Sequence, residues 1–526
     1  MPDPQIRWLA GDADLGREVA RQVGRELGQA RLLRDAGHRR HLRLDAGPLG
    51  SLFLKQFRVG RGSAGWLERA KVRLGRAAAQ REWRSLLALH AAGAPVPRPL
   101  ALGRLAGGDL LLVVPWTEGR PLAAALGRPA GERREALRAL GAAVARLHGA
   151  GFVHGDLHRE NVLLTARGPL LLDLQAARAT KSPEARAADL GFLDHSLASL
   201  LSTPDRVRLR AAALGLRRPF DPAAREALRA VGRAAEAKAL LRAANRTRRA
   251  LRPGREQASL VLAGGRGLRA AAFPAEAVAD ALAAHRDALA RGDARALKHD
   301  ARSHITAVSA GGRHLIVKEV LPRGLARPLA DLARGSPARR AWRAARGLAA
   351  RRIGAPEPLA FLERRRLGLP VSSLLLLEDL RPALPADGAL ERGLDARAVL
   401  DALATLALAL HRRGVDHGDL KASHVWLAQE PRGLAPRLID LEGVRFRRRL
   451  PERTRLLALA QLNASLPDAF PAAERRRAFA RYARALPFAA GARAALAAVV
   501  SDSLARHHRW SGAGCTLAEQ RLSASR

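Results

Sequence analysis

Three observations predict an α+β fold, written twice in tandem along this 526-residue chain. His154, Gly155, Asp156 and Leu157 recur as His417, Gly418, Asp419 and Leu420, at a distance of 263 residues that is half the chain length. In each copy a lysine inside an apolar stretch stands 101 residues before that aspartate, Lys55 in LFLKQF and Lys318 in LIVKEV. Each copy then places a second aspartate in a short apolar run, Asp173 in LLLDLQ and Asp440 in RLIDLEG. Strand-forming runs come early in each copy and helix-forming runs close it. The expected domains are residues 1–255 and 256–515, followed by a tail at 516–526.

The elements follow in order. Residues 5–60 read as an amphipathic opening and then the short strands HLRLDAG and SLFLKQF, with GPLG turning the chain between them. An arginine-rich stretch at 61–80 leads into the helix REWRSLLALHAAG, where Trp83, Leu86, Leu87 and His90 follow helical spacing. After PVPRPLALG comes LLLVVPW as a buried strand, then the helix EALRALGAAVARLHGAG running directly into the HGDL loop, and helices to about residue 250. The second half repeats this order: LIVKEV, an arginine-rich stretch, ARRAWRAARGLAARR, APEPLA, SLLLLEDL, VLDALATLALALHRRG and HGDL. Register is shared, since Trp83 to Pro97 and Trp342 to Pro356 are both 14 residues, and His148 to Asp156 and His411 to Asp419 are both 8. Both tryptophans are expected in the cores. Residues 251–270, with their Pro, Gly and basic cluster, read as the linker.

Two domains of this size each bury a full core without disulfides or structural metal. Cys515 is the only cysteine, so no intrachain disulfide is possible and a reducing compartment is expected. The first twenty residues lack the apolar core of a secretory signal, and runs such as LATLALAL at 403–410 fall short of the roughly 18 residues a membrane span needs. The expected location is cytoplasmic. The formal charge of +42 raises a nucleic-acid reading. It comes from 84 arginines and only seven lysines spread evenly among abundant alanine and leucine, the mark of a GC-rich coding sequence, so no nucleic-acid partner is expected. Such a surface is still drawn to anionic membranes and acidic glycolipids, at roughly 1 kcal/mol per basic residue near the surface.

Phosphoryl transfer needs a cation on the nucleotide phosphates, carboxylates for magnesium, and a carboxylate facing the acceptor hydroxyl. The first copy has all of these in the order of a kinase fold. Lys55 is expected on the α and β phosphates and Glu82, on the next helix, as its partner. Asp156 is expected to orient or deprotonate the hydroxyl, and Asn161 and Asp173 to ligand Mg²⁺, which prefers hard oxygen donors. A single strand lysine is more often a snorkelling side chain, and a single HGDL more often a turn. Order, spacing and duplication together reverse that judgement. Neither copy has a clean glycine-rich phosphate loop; GHRR at 37–40 and DARSHI at 300–305 stand in its place. Ser182, Pro183 and Glu184 imitate the end of a protein kinase's peptide platform, but only 11 residues after Asp173, so the match is read as chance. His507 and His508 are read as surface residues, and no transition-metal spacing occurs.

HGDLHRENVLL with LLLDLQ resembles the catalytic segment of aminoglycoside-phosphotransferase-like kinases. PVPRPLA, SSLLLLEDL, IDLEGVRFRRR and LALAQLNASLPDAFPAAERRRAFARYARAL bring the likeness closer to the lipopolysaccharide core kinases that phosphorylate heptose or Kdo. The resemblance implies two protein-kinase-like domains, each with a small β-rich N-lobe and a helical C-lobe, ATP with magnesium, and a sugar hydroxyl of lipopolysaccharide core or another lipid-linked sugar as acceptor; the basic surface is expected to meet it at the anionic inner membrane as a peripheral protein. RFRRR at 445–449 and RRR at 364–366 suit the phosphates and carboxylates of that acceptor, against a solvated arginine face as the plain reading. The second copy departs from the pattern. Ala341 stands at the place of Glu82, leaving Lys318 without its expected partner; His424 replaces Asn161 as metal ligand beside Asp440; Lys421 stands where the first copy has His158, both positioned toward the transferred phosphoryl group. Asp419 keeps the catalytic place, and the second copy stays open between enzyme and pseudokinase. Two alternatives remain for the whole chain: a phosphotransferase for a small molecule such as an aminoglycoside or choline, and an envelope-associated pseudokinase scaffold.

Overall fold

A computed structural model of the chain describes residues 6–59, 65–217, 221–321, 326–431 and 433–506. His507, His508, Cys515 and the expected tail at 516–526 lie outside the described residues, as do residues 61–64 of the arginine-rich stretch. The chain divides into two α+β units, Met1–Ala239 and Leu240–Arg526. The division falls inside the helix Pro222–Arg249, ahead of the expected 255/256.

In the first unit six antiparallel strands lie in the order Ile6–Gly11, Ala101–Leu105, Leu110–Pro115, Ser51–Phe57, Arg39–Asp45, Arg31–Asp35. Side chains alternate across a strand, so Ser51–Phe57 serves two layers. Leu52 and Leu54, with Leu111 and Val113, pack against Val19 and Val23 of the helix Gly16–Glu26. Phe57, with Leu110 and Leu112, packs on the other face against Trp83, Leu86 and Leu89 of the helix Ala78–Ala91. Lys55 falls on that second face. Burying one leucine is worth about 1.5–3 kcal/mol, so the apolar layers on both faces of the sheet offset the cost of holding a charged lysine in a buried place on the second. The buried stripe of Ala78–Ala91 is Ala79, Glu82, Trp83, Leu86 and Leu89. Leu87 and His90, expected on the core face, are exposed; the stripe is rotated so that Glu82 lies on it.

The rest of the unit is mainly helical: Ala130–Gly149, Pro183–Leu197, Thr203–Ala213 and Pro222–Arg249. The HGDL loop follows the first of these and leads to the hairpin Val162–Thr165 and Gly168–Leu171. Ser182, Pro183 and Glu184 have an ordinary helix-start role: the Ser182 hydroxyl accepts a hydrogen bond from the Ala185 amide with Pro183 in the first turn.

The second unit repeats the plan with a seven-stranded sheet ordered Gln257–Leu262, Gly265–Ala270, Pro358–Arg366, Leu369–Glu378, Arg313–Val320, Ser303–Ala310, Ala296–His299. Its faces are covered by the helices Ala275–Arg291, through Val278 and Leu282, and Pro337–Ala350, through Trp342 and Ala345. Residues 257–270, expected within the linker, form its first hairpin. The glycines that suggested a linker have a strand role: a Cβ at Gly267 would stand 1.8 Å from the Phe361 carbonyl oxygen, a close approach only glycine permits. The helices Ala396–Arg412, Glu452–Ala464, Ala472–Ala485 and Gly491–Leu504 complete the unit. Trp83 and Trp342 are both core residues, as expected. Among the described residues no helix is long and apolar enough to cross a membrane.

Candidate active site

In the first unit Lys55, Glu82, His158, Asn161 and Asp173 line one cleft of about 630 Å³, and Asp156 is not among its lining residues but adjoins one of them, His158. Lys55 is 6% exposed and Glu82 4%. The Lys55 ammonium donates to both Glu82 carboxylate oxygens at 2.8 Å and to Asp173 Oδ1 at 2.8 Å. Burial pushes the Glu82 carboxyl above its usual range, against the pull of Lys55. At Asp173 burial acts in the same direction, but Lys55 and Arg39 outweigh it and hold that carboxyl below its usual range. Asp173 itself has φ 62°, a left-handed backbone that non-glycine residues rarely adopt and that turns its side chain out of the strand register.

The loop carrying Asp156 is pinned from below. Buried Asp189 accepts the backbone N–H groups of His154 and Gly155, each at 2.9 Å, and lies 3.1 Å from His148 Nε2. His154 Nε2 meets the Leu172 carbonyl at 2.9 Å, tying the loop to the residue before Asp173. Gly155 has φ 78°, and a Cβ there would stand 2.3 Å from the Ala176 carbonyl oxygen, which explains the glycine in HGDL. The Asn161 amide nitrogen donates to the Asp156 carbonyl at 3.0 Å, which leaves its amide oxygen for another partner. His158 Nε2 lies 3.7 Å from Asp156 Oδ2, and its influence leads in keeping the Asp156 carboxyl below the usual range.

The segment GHRR, at the place of a glycine-rich loop, closes the turn between two strands at Gly37 and His38 and opens the strand Arg39–Asp45, whose Arg39 reaches into the cleft. Its guanidinium lies 3.3 Å from Asp173 Oδ2 and donates to Gln175 Oε1 at 2.9 Å. His41, paired in register with Lys55, also lines the cleft; burial, then Lys55 and Arg39, push its imidazole down to about 4. Asp189, Arg39 and His41 had not been singled out. Arg39 and the GHRR segment were legible as the substitute for a phosphate loop, whereas Asp189 sits in a helix with no local spacing to mark it.

The second unit brings together Asp419, His424 and Asp440, whose ligating atoms lie within 4.8 Å of one another. His424 Nδ1 is 2.9 Å from the Asp419 carbonyl, as Asn161 is from that of Asp156. Lys421 pairs with Asp419 Oδ2 at 2.9 Å. Ala341 is buried at the place of Glu82, and the carboxylates that Lys318 meets come from another element. Its ammonium is 2.7 Å from Glu442 Oε1 and 3.2 Å from Asp440 Oδ1. Asp440 repeats the left-handed backbone with φ 53°. Beneath the loop a different set operates: Gln461 Oε1 accepts the Leu420 amide at 3.3 Å, and His411 bonds the Tyr482 hydroxyl at 2.7 Å. Of the two basic runs, Arg365 pairs with Glu363 and Arg364 donates to the Ala263 carbonyl, while Arg445 and Arg447–Arg449 are exposed.

Comparison with known proteins places this geometry. The chain is similar over 151 residues to the EKC/KEOPS complex subunit BUD32 of Chaetomium globosum, at 28% identity, covering 22% of this chain and 55% of that one. It is also similar over 92 residues to the KEOPS complex subunit Bud32 of Pyrococcus abyssi, at 32% identity, covering 17% of this chain and 42% of the relative. The chain thus spans about half the length of the curated relatives it matches. Among solved structures it is similar to WaaP in complex with acyl carrier protein, with a TM-score of 0.31 at 21% identity over 45% of this chain and 90% of that one. The family model described as lipopolysaccharide kinase (Kdo/WaaP) family matches twice, at residues 25–212 and 300–482. Each match contains one lysine, one HGDL aspartate and one left-handed aspartate of the pairs described above, so the chain belongs to the lipopolysaccharide kinase (Kdo/WaaP) family.

Proposed function

We propose that this chain transfers the terminal phosphoryl group of ATP to a sugar hydroxyl, of heptose or Kdo, in the lipopolysaccharide inner core. The observation that carries the proposal is the buried Lys55 bridging Glu82 and Asp173 at the wall of a cleft that also holds His158 and Asn161. In this reading Lys55 binds the nucleotide phosphates, and Glu82 keeps its ammonium directed into the cleft. Asp156 orients the acceptor hydroxyl and takes its proton at the carboxylate, and His158 beside it faces the transferred group. Asp173 and the free amide oxygen of Asn161 offer the hard oxygen donors that Mg²⁺ prefers, and their counterparts in the second unit are Asp440 and His424. When bound, Mg²⁺ neutralises charge on the phosphates. Arg39, drawn onto Asp173, supplies a side-chain cation at the place of the missing glycine-rich loop.

A lipid-borne, anionic acceptor fits the +42 charge and the exposed arginines at 445 and 447–449, and makes the protein peripheral to the inner membrane on its cytoplasmic side. The strongly basic composition of the chain argues against a cationic aminoglycoside or choline as acceptor. The test is phosphate incorporation from ATP into purified lipopolysaccharide. Magnesium-dependent incorporation that vanishes in Asp156→Asn while ATP still binds supports the proposal. Turnover of aminoglycosides or choline with none on lipopolysaccharide contradicts it.

A further inference from the structure

The two units differ at three positions that belong together. The first has Glu82 on the helix, Gln175 two residues after Asp173, and Arg39 holding Gln175 and Asp173. The second has Ala341 on the helix, Glu442 two residues after Asp440, and Ser303 in the register position of Arg39. The carboxylate missing from the helix is present on the turn Leu441–Gly443, 2.7 Å from the lysine it is needed for.

We infer that Glu442 is the positioning residue for Lys318, replacing the helix glutamate, so that the second unit keeps a directed phosphate-binding lysine in spite of Ala341. This rests on the reading of the cleft as a nucleotide site. The physical requirement is a carboxylate that holds the ammonium without occupying its place on the phosphates. Glu82 meets it from the helix Ala78–Ala91. Glu442 meets it from the same turn that carries Asp440, so lysine and strand-end aspartate are set by one loop. In the first unit the same turn position has nothing to hold: Gln175 is neutral and its oxygen already accepts from Arg39. The helix Pro337–Ala350 is thereby released from the charge pairing that the helix Ala78–Ala91 must make, and presents alanine at that place.

The test uses the full chain carrying Lys55→Met with Glu82→Leu, which disables the first unit's site without leaving a lone buried charge. Calorimetric titration with ATP and, separately, with adenosine compares this chain with the same chain carrying Glu442→Gln. A loss in ATP affinity on the order of tenfold, with adenosine affinity unchanged, supports the inference, because the lysine acts on phosphates alone; a structural role would move both. Equal ATP affinity with and without Glu442→Gln overturns the inference while leaving the nucleotide site standing. No ATP binding by the parent chain overturns the nucleotide reading of the second unit, and the inference with it. A second arm transplants the arrangement into the first unit of the otherwise unaltered chain. Arg39→Ser, Glu82→Ala and Gln175→Glu together should recover ATP affinity lost in Arg39→Ser, Glu82→Ala alone, and no recovery contradicts the inference.

Discussion

Replacing Lys55 by methionine removes the cation that Glu82 was buried to meet. Glu82 is 4% exposed and pairs with Lys55 through both carboxylate oxygens, so the variant leaves a carboxylate in the core facing no ammonium. Breaking a buried pair from one side costs about 3–5 kcal/mol. The sign with pH follows from linkage. Without Lys55 the folded-state affinity of Glu82 for its proton rises further above the unfolded value of about 4.3, so stability is fully present below that pH and is lost as pH rises, by about 1.4 kcal/mol per unit, until the folded value is reached. The deficit relative to the unaltered protein is therefore about 3–5 kcal/mol at high pH and shrinks toward zero as pH falls to the unfolded value, because the raised carboxyl of the unaltered protein takes up its proton over the lower part of that range as well. Lys55→Met with Glu82→Leu removes both charges and should recover most of the loss at pH 8. Hydrogen exchange read by mass spectrometry on peptides covering 51–57 and 78–91 measures the opening free energy of this unit separately from the other. A Lys55→Met deficit that is independent of pH, or a double variant no more stable than the single one at pH 8, would refute the reasoning.

Other outcomes follow from the same geometry. Gly155→Ala should destabilise the first unit more than Gly418→Ala does the second: both carry positive φ, costing about 1–2 kcal/mol, but the new Cβ meets a carbonyl oxygen at 2.3 Å in the first and 3.2 Å in the second. Calorimetric unfolding of the two variants compares them, and equal losses would contradict the stated cause. Asp189→Ala leaves the His154 and Gly155 amides without an acceptor, at about 1–3 kcal/mol each, and should raise hydrogen exchange at 152–157 and depress phosphate transfer without altering ATP affinity. Unchanged exchange there would show that Asp189 does not hold the loop.

Much of this was legible in the sequence because a duplicated pattern turns weak signals into a constrained one. The lysine, helix glutamate and two aspartates of the first unit were named from order and spacing, and the cleft brings Lys55, Glu82 and Asp173 into direct contact. What stayed hidden shares a physical cause, in that it depends on pairing across the fold rather than along the chain. Asp189 contacts a loop 34 and 35 residues away and shares its helix with ordinary core positions. Glu442 stands beside Asp440, but nothing in its spacing says that it faces Lys318, 124 residues earlier, so the sequence marks only the loss of the expected helix glutamate. The hairpin at 257–270 was read as a linker because its glycines suggest flexibility, and only the neighbouring strand shows that they permit close packing. Leu87 and His90 follow helical spacing with Trp83 and Leu86, but the buried stripe runs through Ala79, Glu82 and Leu89 instead, because the lysine that Glu82 meets lies across the fold.

The central claim is that Asp156, beside the Lys55, Glu82 and Asp173 constellation, delivers a phosphoryl group to the lipopolysaccharide core. It is tested most directly by mass spectrometry of core oligosaccharide from cells that lack this chain, complemented either with the unaltered protein or with Asp156→Asn. The account predicts that the unaltered chain restores the mass of at least one phosphoryl group per molecule, and that Asp156→Asn restores less by at least one. Identical core masses with and without the chain would contradict it.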